Sequence, residues 1–229
     1  FTYDITTYEQ EWFKGIEVLR RFQFVDSEQM VNEALKNDTS ILAEGAQGSL
    51  LDIDFGTYPY VTSSHPVSSG MCAGVGVGPK MVSNIIGVAK AYTTRVGKGP
   101  FPTELDDETG DMIRNKGGEF GTTTGRPRRT GWFDAVIVRH SVRVNGLDGL
   151  AINKLDTLSG IPVLKMCVGY EKPDGSILKD FPAALEELRV KLLGKKVGIS
   201  IKPKKINTTI RCTDTHVYFY QNTPLSNWW

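Results

Sequence analysis

Three stretches of the 229-residue chain carry side chains whose types and spacing suit chemistry. Asn153-Lys154-Leu155-Asp156 directly follows the apolar run Leu150-Ala151-Ile152. A carboxylate at a strand's end can accept both the N1–H and the 2-amino group of guanine, a donor pair that adenine lacks. A lysine stem beside it can cover the flat face of the base. Gly121-Thr122-Thr123-Thr124-Gly125-Arg126-Pro127-Arg128-Arg129 sets guanidinium groups next to hydroxyls. In an extended segment residues two apart project to one side, so Arg126 and Arg128 are expected to converge while Arg129 points away. Pro127 stiffens that geometry. Two such forks beside three hydroxyls make a receptor for carboxylate or phosphate. The alternatives are a solvated basic loop or a nucleic-acid contact, and the lack of interleaved aromatics speaks against the latter. The third stretch, residues 52–78, holds Thr57, Thr62, Ser63, Ser64, Ser68, Ser69 and several glycines, including the GxGxG run Gly74, Gly76, Gly78. Close backbone approach and hydroxyl donors suit a phosphate there. A plain flexible connection is the competing reading.

Other candidates carry less. Asp52 and Asp54 are two apart and can share a metal, although a turn before Gly56 explains them equally well. Glu104, Asp106, Asp107 and Glu108 read as a solvated helix start. His140 falls on an apolar helical face, as a satisfied core histidine does. Cys72 has no histidine close to it in sequence and gives no nucleophile. The four-residue pattern at 153–156 is the guanine-reading one of GTP-binding proteins, yet no GxxxxGK[ST] phosphate loop occurs anywhere in the chain.

These residues need elements to hold them. Apolar spacing predicts helices over 8–21, from a cap at Asp26 or Ser27 through Leu35, over 81–91, over 132–144, and over 183–193 with Gly194 as its stop. Short strands are expected at 40–43, 150–152 and 163–170, with 91–96 extended. Lys172-Pro173-Asp174-Gly175 is a turn, because Pro presets φ and Gly takes positive φ. Strands alternating with helices imply an α/β fold with a mainly parallel sheet, and ligands of such sheets bind where strand ends meet loops.

Composition bounds the reading. Apolar residues make up 40% and charged residues 23% of the chain, which excludes a disordered polymer. No apolar run approaches the ~20 residues that cross a bilayer. The net charge is +1, so no global field argues for nucleic acid or a membrane surface. Three cysteines without a CxxC pair make a disulfide framework unexpected and a reducing compartment the default. Three separated histidines form no HExxH pattern. Residues 1–190 carry 20 basic and 25 acidic side chains, while 191–229 carry seven basic ones against Asp214 alone. A boundary is therefore expected near 190, with a body at 1–190 and a basic tail of uncertain origin at 191–229. The chain opens on Phe1 without a signal-peptide pattern and is expected to be a piece of something longer.

Taken together, these loops resemble one family, the adenylosuccinate synthetases. The resemblance is carried by Glu44-Gly45-Ala46-Gln47-Gly48, by Leu51-Asp52-Ile53-Asp54-Phe55-Gly56-Thr57-Tyr58-Pro59-Tyr60-Val61-Thr62-Ser63-Ser64, and by Thr94-Arg95-Val96-Gly97-Lys98-Gly99-Pro100-Phe101-Pro102-Thr103-Glu104. Residues 121–132 and Lys154-Leu155-Asp156 complete the set, over about residues 1–180. The resemblance implies a P-loop-NTPase-like α/β fold, here incomplete, and a cytoplasmic ligase of AMP biosynthesis that works as a homodimer. Such an enzyme joins IMP and L-aspartate with GTP and Mg²⁺ through a 6-phosphoryl-IMP intermediate. It implies IMP contacts from Gln47, Thr62 and Arg126. It implies aspartate contacts from Val96, Thr122, Thr123, Thr124, Gly125, Arg126 and Arg128. GTP contacts would come from Arg128, Lys154, Leu155 and Asp156.

The family's phosphate loop with its catalytic Asp, the acid His that follows it, and the region of the Arg lent to a partner subunit have no counterpart in these residues. Most Mg²⁺ ligands are thus expected outside the chain, and the 229 residues alone are expected to be inactive. The alternative is a non-catalytic module that binds guanine nucleotide and IMP.

Overall fold

The computed structural model describes residues 4–182, 192–197, 208–213 and 216–221. The chain forms two compact units, one of Phe1–Ala43 with Cys72–Met81, the other of Glu44–Met71 with Val82–Trp229.

In the first unit, Asp4 accepts from Thr6 N to start helix α1 (Ile5–Leu19), and Asp26 accepts from Gln29 N to start α2 (Ser27–Lys36). Glu28 in the first turn of α2 and Lys36 in its last complement the helix dipole. Asn32 ties α2 to the segment after α3 (Ser68–Val75) by donating to the Gly76 carbonyl. The run at 40–43 is not a buried strand. Its residues belong to no regular element and are exposed, with Leu42 74% accessible. Three apolar letters after a serine do not make a strand without a neighbour to pair with.

The second unit is α/β. Strand β1 (Ile86–Lys90) follows Val82 and is succeeded by β2 (Thr93–Arg95), α4 (Glu108–Gly117), β3 (Arg129–Gly131) and β4 (Phe133–Asp134). After these come α5 (Ala135–Asn145), β5 (Gly149–Asn153), β6 (Leu164–Glu171), β7 (Ile177–Leu178), β8 (Leu192–Val197), β9 (Thr208–Thr213) and β10 (His216–Gln221). Two parallel pairs, β1 with β5 and β4 with β6, form the α/β frame. Antiparallel partners extend it: β9 and β10 beyond β5, and β7 and β8 against β6. β2 and β3 form a separate antiparallel pair.

The helix expected over 81–91 is replaced by β1. Its apolar spacing fits a helix, but the segment is rich in β-branched residues and has Gly87 at its centre. A Cβ at Gly87 would run into the Leu147 side chain, so the strand pairing with β5 needs the small residue. The helix expected over 132–144 starts three residues later, because Asp134 caps it and leaves Trp132 buried in the extended entry. Of the helix expected over 183–193, residues 183–191 lie outside the described residues. Leu192, Leu193 and Gly194 belong to β8. The turn at 172–175 forms as read, with Gly175 at φ 81° and its N–H bonded to the Lys172 carbonyl at 2.9 Å.

One apolar core gathers Tyr92, Ile113, Trp132, Leu150, Ile152, Leu158 and Leu164 beneath α4 and β5. A second joins Val136 of α5 to Cys167 and Tyr170 of β6.

Candidate functional site

The threonine-rich loop stands on a stem. Asp107 caps α4 through Gly110 N, and Gly118, in the left-handed region at φ 63°, ends it. Glu119 follows, donating its N–H to the Arg114 carbonyl and accepting Arg128 N on its own carbonyl, both at 2.9 Å. Inside that closure the Gly121 N–H reaches the Arg126 carbonyl at 2.9 Å and the Gly125 N–H reaches the Gly121 carbonyl at 2.8 Å. The tip residues Thr122, Thr123, Thr124, Gly125 and Arg126 are exposed.

The expected pair of forks divides. Arg126 is exposed and its side chain has no partner among the described residues. Arg128 turns inward, its Nη1 donating to Glu119 Oε2 at 3.0 Å. Arg129 does point elsewhere, forking onto both Glu104 oxygens and the carbonyls of Gly97 and Gly99. Glu104 is thus a half-buried ion partner rather than part of a solvated run. Arg128 gives up the outward position by pairing with the buried Glu119 carboxylate, which Lys90 also pairs. β2 pairs with β3 with Arg95 opposite Arg129. Val96, which follows β2 directly, is exposed.

Glu119 is the centre of the site. It is 1% exposed. Lys90 Nζ, at the end of β1, donates to its two oxygens at 2.8 and 2.7 Å, and Tyr92 OH donates at 2.7 Å. Burial alone would raise the Glu119 carboxyl, but the bonds from Lys90, Tyr92 and Arg128 outweigh it and hold the group below the ordinary glutamate range. The Tyr92 hydroxyl is pushed well up, first by burial and then by its bond to Glu119. Lys154 follows β5 at φ 56°, hydrogen-bonds the Gly117 carbonyl, and lies 3.6 Å from Glu119 Oε1. Three cations therefore surround one carboxylate, and the net positive field favours a polyanion.

At the guanine-reading pattern, Leu155 packs against the core while Asp156, one residue on in a short 3-10 turn (Leu155–Leu158), is exposed. No ion pair is made by Asp156 among the described residues. Lys90, Tyr92 and Glu119 were not found by sequence reasoning. Each lies in a stretch without a motif, and they meet only when β1, the stem and β5 come together.

The hydroxyl-rich stretch folds into two parts. Residues 52–67 form a folded loop, whereas Ser68, Ser69, Gly70 and Gly74 enter α3, so the GxGxG run is not one phosphate-cradling loop. Within the loop Gln47, at φ 70°, donates to Thr62 Oγ1 and accepts from Ser64 Oγ, each at 3.3 Å. Arg95 reaches across to Thr57 Oγ1 at 3.0 Å and the Tyr60 carbonyl at 3.1 Å. α5 anchors the loop: Asn145 bonds Ser49 Oγ and Ser68 N, and His140 Nε2 donates to the Phe55 carbonyl at 2.9 Å. His140 is half-buried and its ring lies tilted against Phe181. Only Nε2 is bonded, and the buried Nδ1 has no partner among the described residues, so the fully satisfied core histidine expected from the sequence is not formed.

Asp52 and Asp54 resolve as a turn. The Asp52 carboxylate is buried, its Oδ1 accepts from Asp54 N and Phe55 N, and its Oδ2 faces His65 Nδ1 at 3.4 Å. Burial would raise the Asp52 carboxyl, but the backbone donors and His65 keep it low. Asp52, Asp54 and His65 are the one group of three metal-ligating side chains among the described residues. Mg²⁺ demands an octahedron of oxygens, and an imidazole beside a carboxylate already committed to a turn does not supply one. The Mg²⁺ implied by the resemblance does not fit this set.

A sequence model of the family "Adenylosuccinate synthetase" matches residues 2–197, and so takes in 191–197 of the basic tail. The adenylosuccinate synthetase of Pelotomaculum thermopropionicum is 60% identical over 179 residues, covering 78% of this chain and 42% of that protein. That of Caldanaerobacter subterraneus subsp. tengcongensis is 61% identical over 165 residues, covering 72% and 38%. The structure of fully ligated adenylosuccinate synthetase from Plasmodium falciparum superposes with a TM-score of 0.74 at 41% identity, over 81% of this chain and 44% of that one. The chain thus spans about two fifths of the length of the relatives it matches. The order of the loops, the α/β frame that holds them and these matches agree: the chain belongs to the adenylosuccinate synthetase family.

Proposed function

We propose that the protein containing these residues joins IMP and L-aspartate into adenylosuccinate and converts GTP to GDP and phosphate. The purine 6-oxygen is a poor leaving group. Transfer of the GTP γ-phosphoryl to it gives 6-phosphoryl-IMP, and the aspartate amine then forms the new C–N bond while phosphate departs. The task of the protein is to hold groups in line and to stabilise charge.

The observation that carries this reading is exposed Asp156, placed at the end of β5 next to a lysine held by the Glu119 stem. Asp156 accepts from guanine N1–H and the 2-amino group, and Lys154 and Leu155 flank the base. Arg128 supplies positive charge toward the nucleotide. Gln47 and Thr62, already in one hydrogen-bonded group with Ser64, hold IMP. The exposed loop Thr122 to Arg126 closes over aspartate from the side of Val96, with Arg126 reaching IMP as well.

A homodimer in the cytoplasm is part of the proposal. No described helix is long and apolar enough to cross a membrane. The 229 residues alone are proposed to bind nucleotide without turnover, since they contain no phosphate loop of the GxxxxGK[ST] kind. Titration of the purified chain tests the reading. GTP should bind better than ATP, and Asp156→Asn should weaken GTP by about 10- to 100-fold, the loss expected for charge-assisted hydrogen bonds. Equal affinity for GTP and ATP refutes the guanine contact, and adenylosuccinate formation by the chain alone refutes the absence of turnover.

A further inference from the structure

We propose that Glu119 is a positioning residue that couples the guanine end of the site to the threonine-rich loop, so that nucleotide bound at Lys154–Asp156 orders residues 121–128. The proposal rests on the guanine reading of Lys154–Asp156.

Glu119 and Arg128 form the two sides of the loop's stem, and they are joined twice. One bond runs from Arg128 N to the Glu119 carbonyl, the other from the guanidinium to the carboxylate. Lys154 reaches the same stem at Gly117 and at Glu119. The residue meant to cover the base and the residue that closes the loop therefore share one buried carboxylate. That carboxylate is also fixed by Lys90 and Tyr92 from the sheet side, so it does not follow whichever cation moves. A nucleotide that draws the Lys154 ammonium toward itself removes a cation from the Glu119 field. The Arg128 pair then carries more of the charge, and the stem tightens. The loop tip is the part free to respond, because Thr122, Thr123, Thr124, Gly125 and Arg126 are exposed and held only by turn bonds. A purely structural Glu119 would fix the fold without making loop order depend on nucleotide.

Amide hydrogen exchange of residues 121–128 in the purified chain, with and without saturating GDP, tests this. In the wild type GDP should slow exchange there about fivefold or more, the lower end of ordinary coupling between sites. In Glu119→Gln, GDP should still bind through Asp156 while the loop no longer responds. Should that variant fail to fold, Arg128→Gln cuts the same link from its half-exposed side and leaves Glu119 bonded to Lys90 and Tyr92. It should bind GDP more weakly and, at saturation, show no slowing. A loop response that persists in a folded variant overturns the coupling and leaves the guanine reading standing. Failure of the wild-type chain to bind GDP overturns both.

Discussion

Replacing Asp134 should loosen the hydroxyl-rich loop from a distance. Asp134 is 1% exposed and does two jobs. Its Oδ1 accepts from Val136 N at 2.9 Å and Ile137 N at 3.2 Å, capping α5, while its Oδ2 accepts from the fully buried Tyr170 hydroxyl at 2.7 Å. Loss of a cap costs ~1 kcal/mol, and an orphaned buried hydroxyl costs about 1–3 kcal/mol. Asp134→Ala should therefore destabilise the chain by roughly 3 kcal/mol, about 6–12 °C in the unfolding midpoint for a protein of this size. Asp134→Asn should be milder, near 1 kcal/mol, because its oxygen can keep the cap while its amide donates to Tyr170. Burial raises the Asp134 carboxyl against the bonds from Tyr170 and the two amides. The ionised group thus costs stability above its ordinary value of 3.8, a cost that neutral Asn does not carry. Urea unfolding followed by tryptophan fluorescence, with the slope m compared between variants, measures both. An alanine variant within about 0.5 kcal/mol of wild type, or an asparagine variant no better than alanine, would refute the two-job account. Since α5 carries His140 and Asn145, the alanine variant should also speed amide exchange over residues 49–68.

Two further outcomes follow from the Glu119 cluster. A Cβ at Gly117 would meet the Tyr92 hydroxyl and push it off Glu119, so Gly117→Ala should cost about 1–3 kcal/mol. Adding Tyr92→Phe should recover part of that loss in urea unfolding, and a double variant that is additive would show that the clash is not the cause. Glu119 is held below its ordinary value of 4.5, so its stabilisation is complete above that pH and is lost as pH falls below it. The unfolding midpoint of the wild type should drop more steeply there than that of Glu119→Gln, and parallel curves would contradict the assignment.

What the sequence made legible was local. Asp26 as a cap and the turn at 172–175 depend on neighbours a few residues away, and each formed. The strands at 150–152 and 163–170 also formed, their apolar runs being short and bounded by turn residues although their partners β1 and β4 are distant. The segment 81–91 misled because its apolar spacing satisfies a helix, whereas pairing with β5, some 60 residues later in the chain, decided the outcome. The Arg126–Arg128 pair misled for the same kind of reason. Alternation correctly says that two side chains share a face, but it cannot register a buried carboxylate nine residues upstream that captures one of them. Glu119 itself meets Tyr92 and Lys90 from 27 and 29 positions away, and no spacing rule reaches that far. The exposed parts of the candidate site, Asp156 and the Thr122–Arg126 tip, were therefore readable as motifs, because binding groups must stand clear of the core. The part that fixes their geometry is buried, charged and assembled from three separate elements. In water each of its members would look like an ordinary surface residue. Only the fold, by withdrawing Glu119 from solvent, turns Lys90, Arg128 and Lys154 into one electrostatic unit whose positions depend on one another.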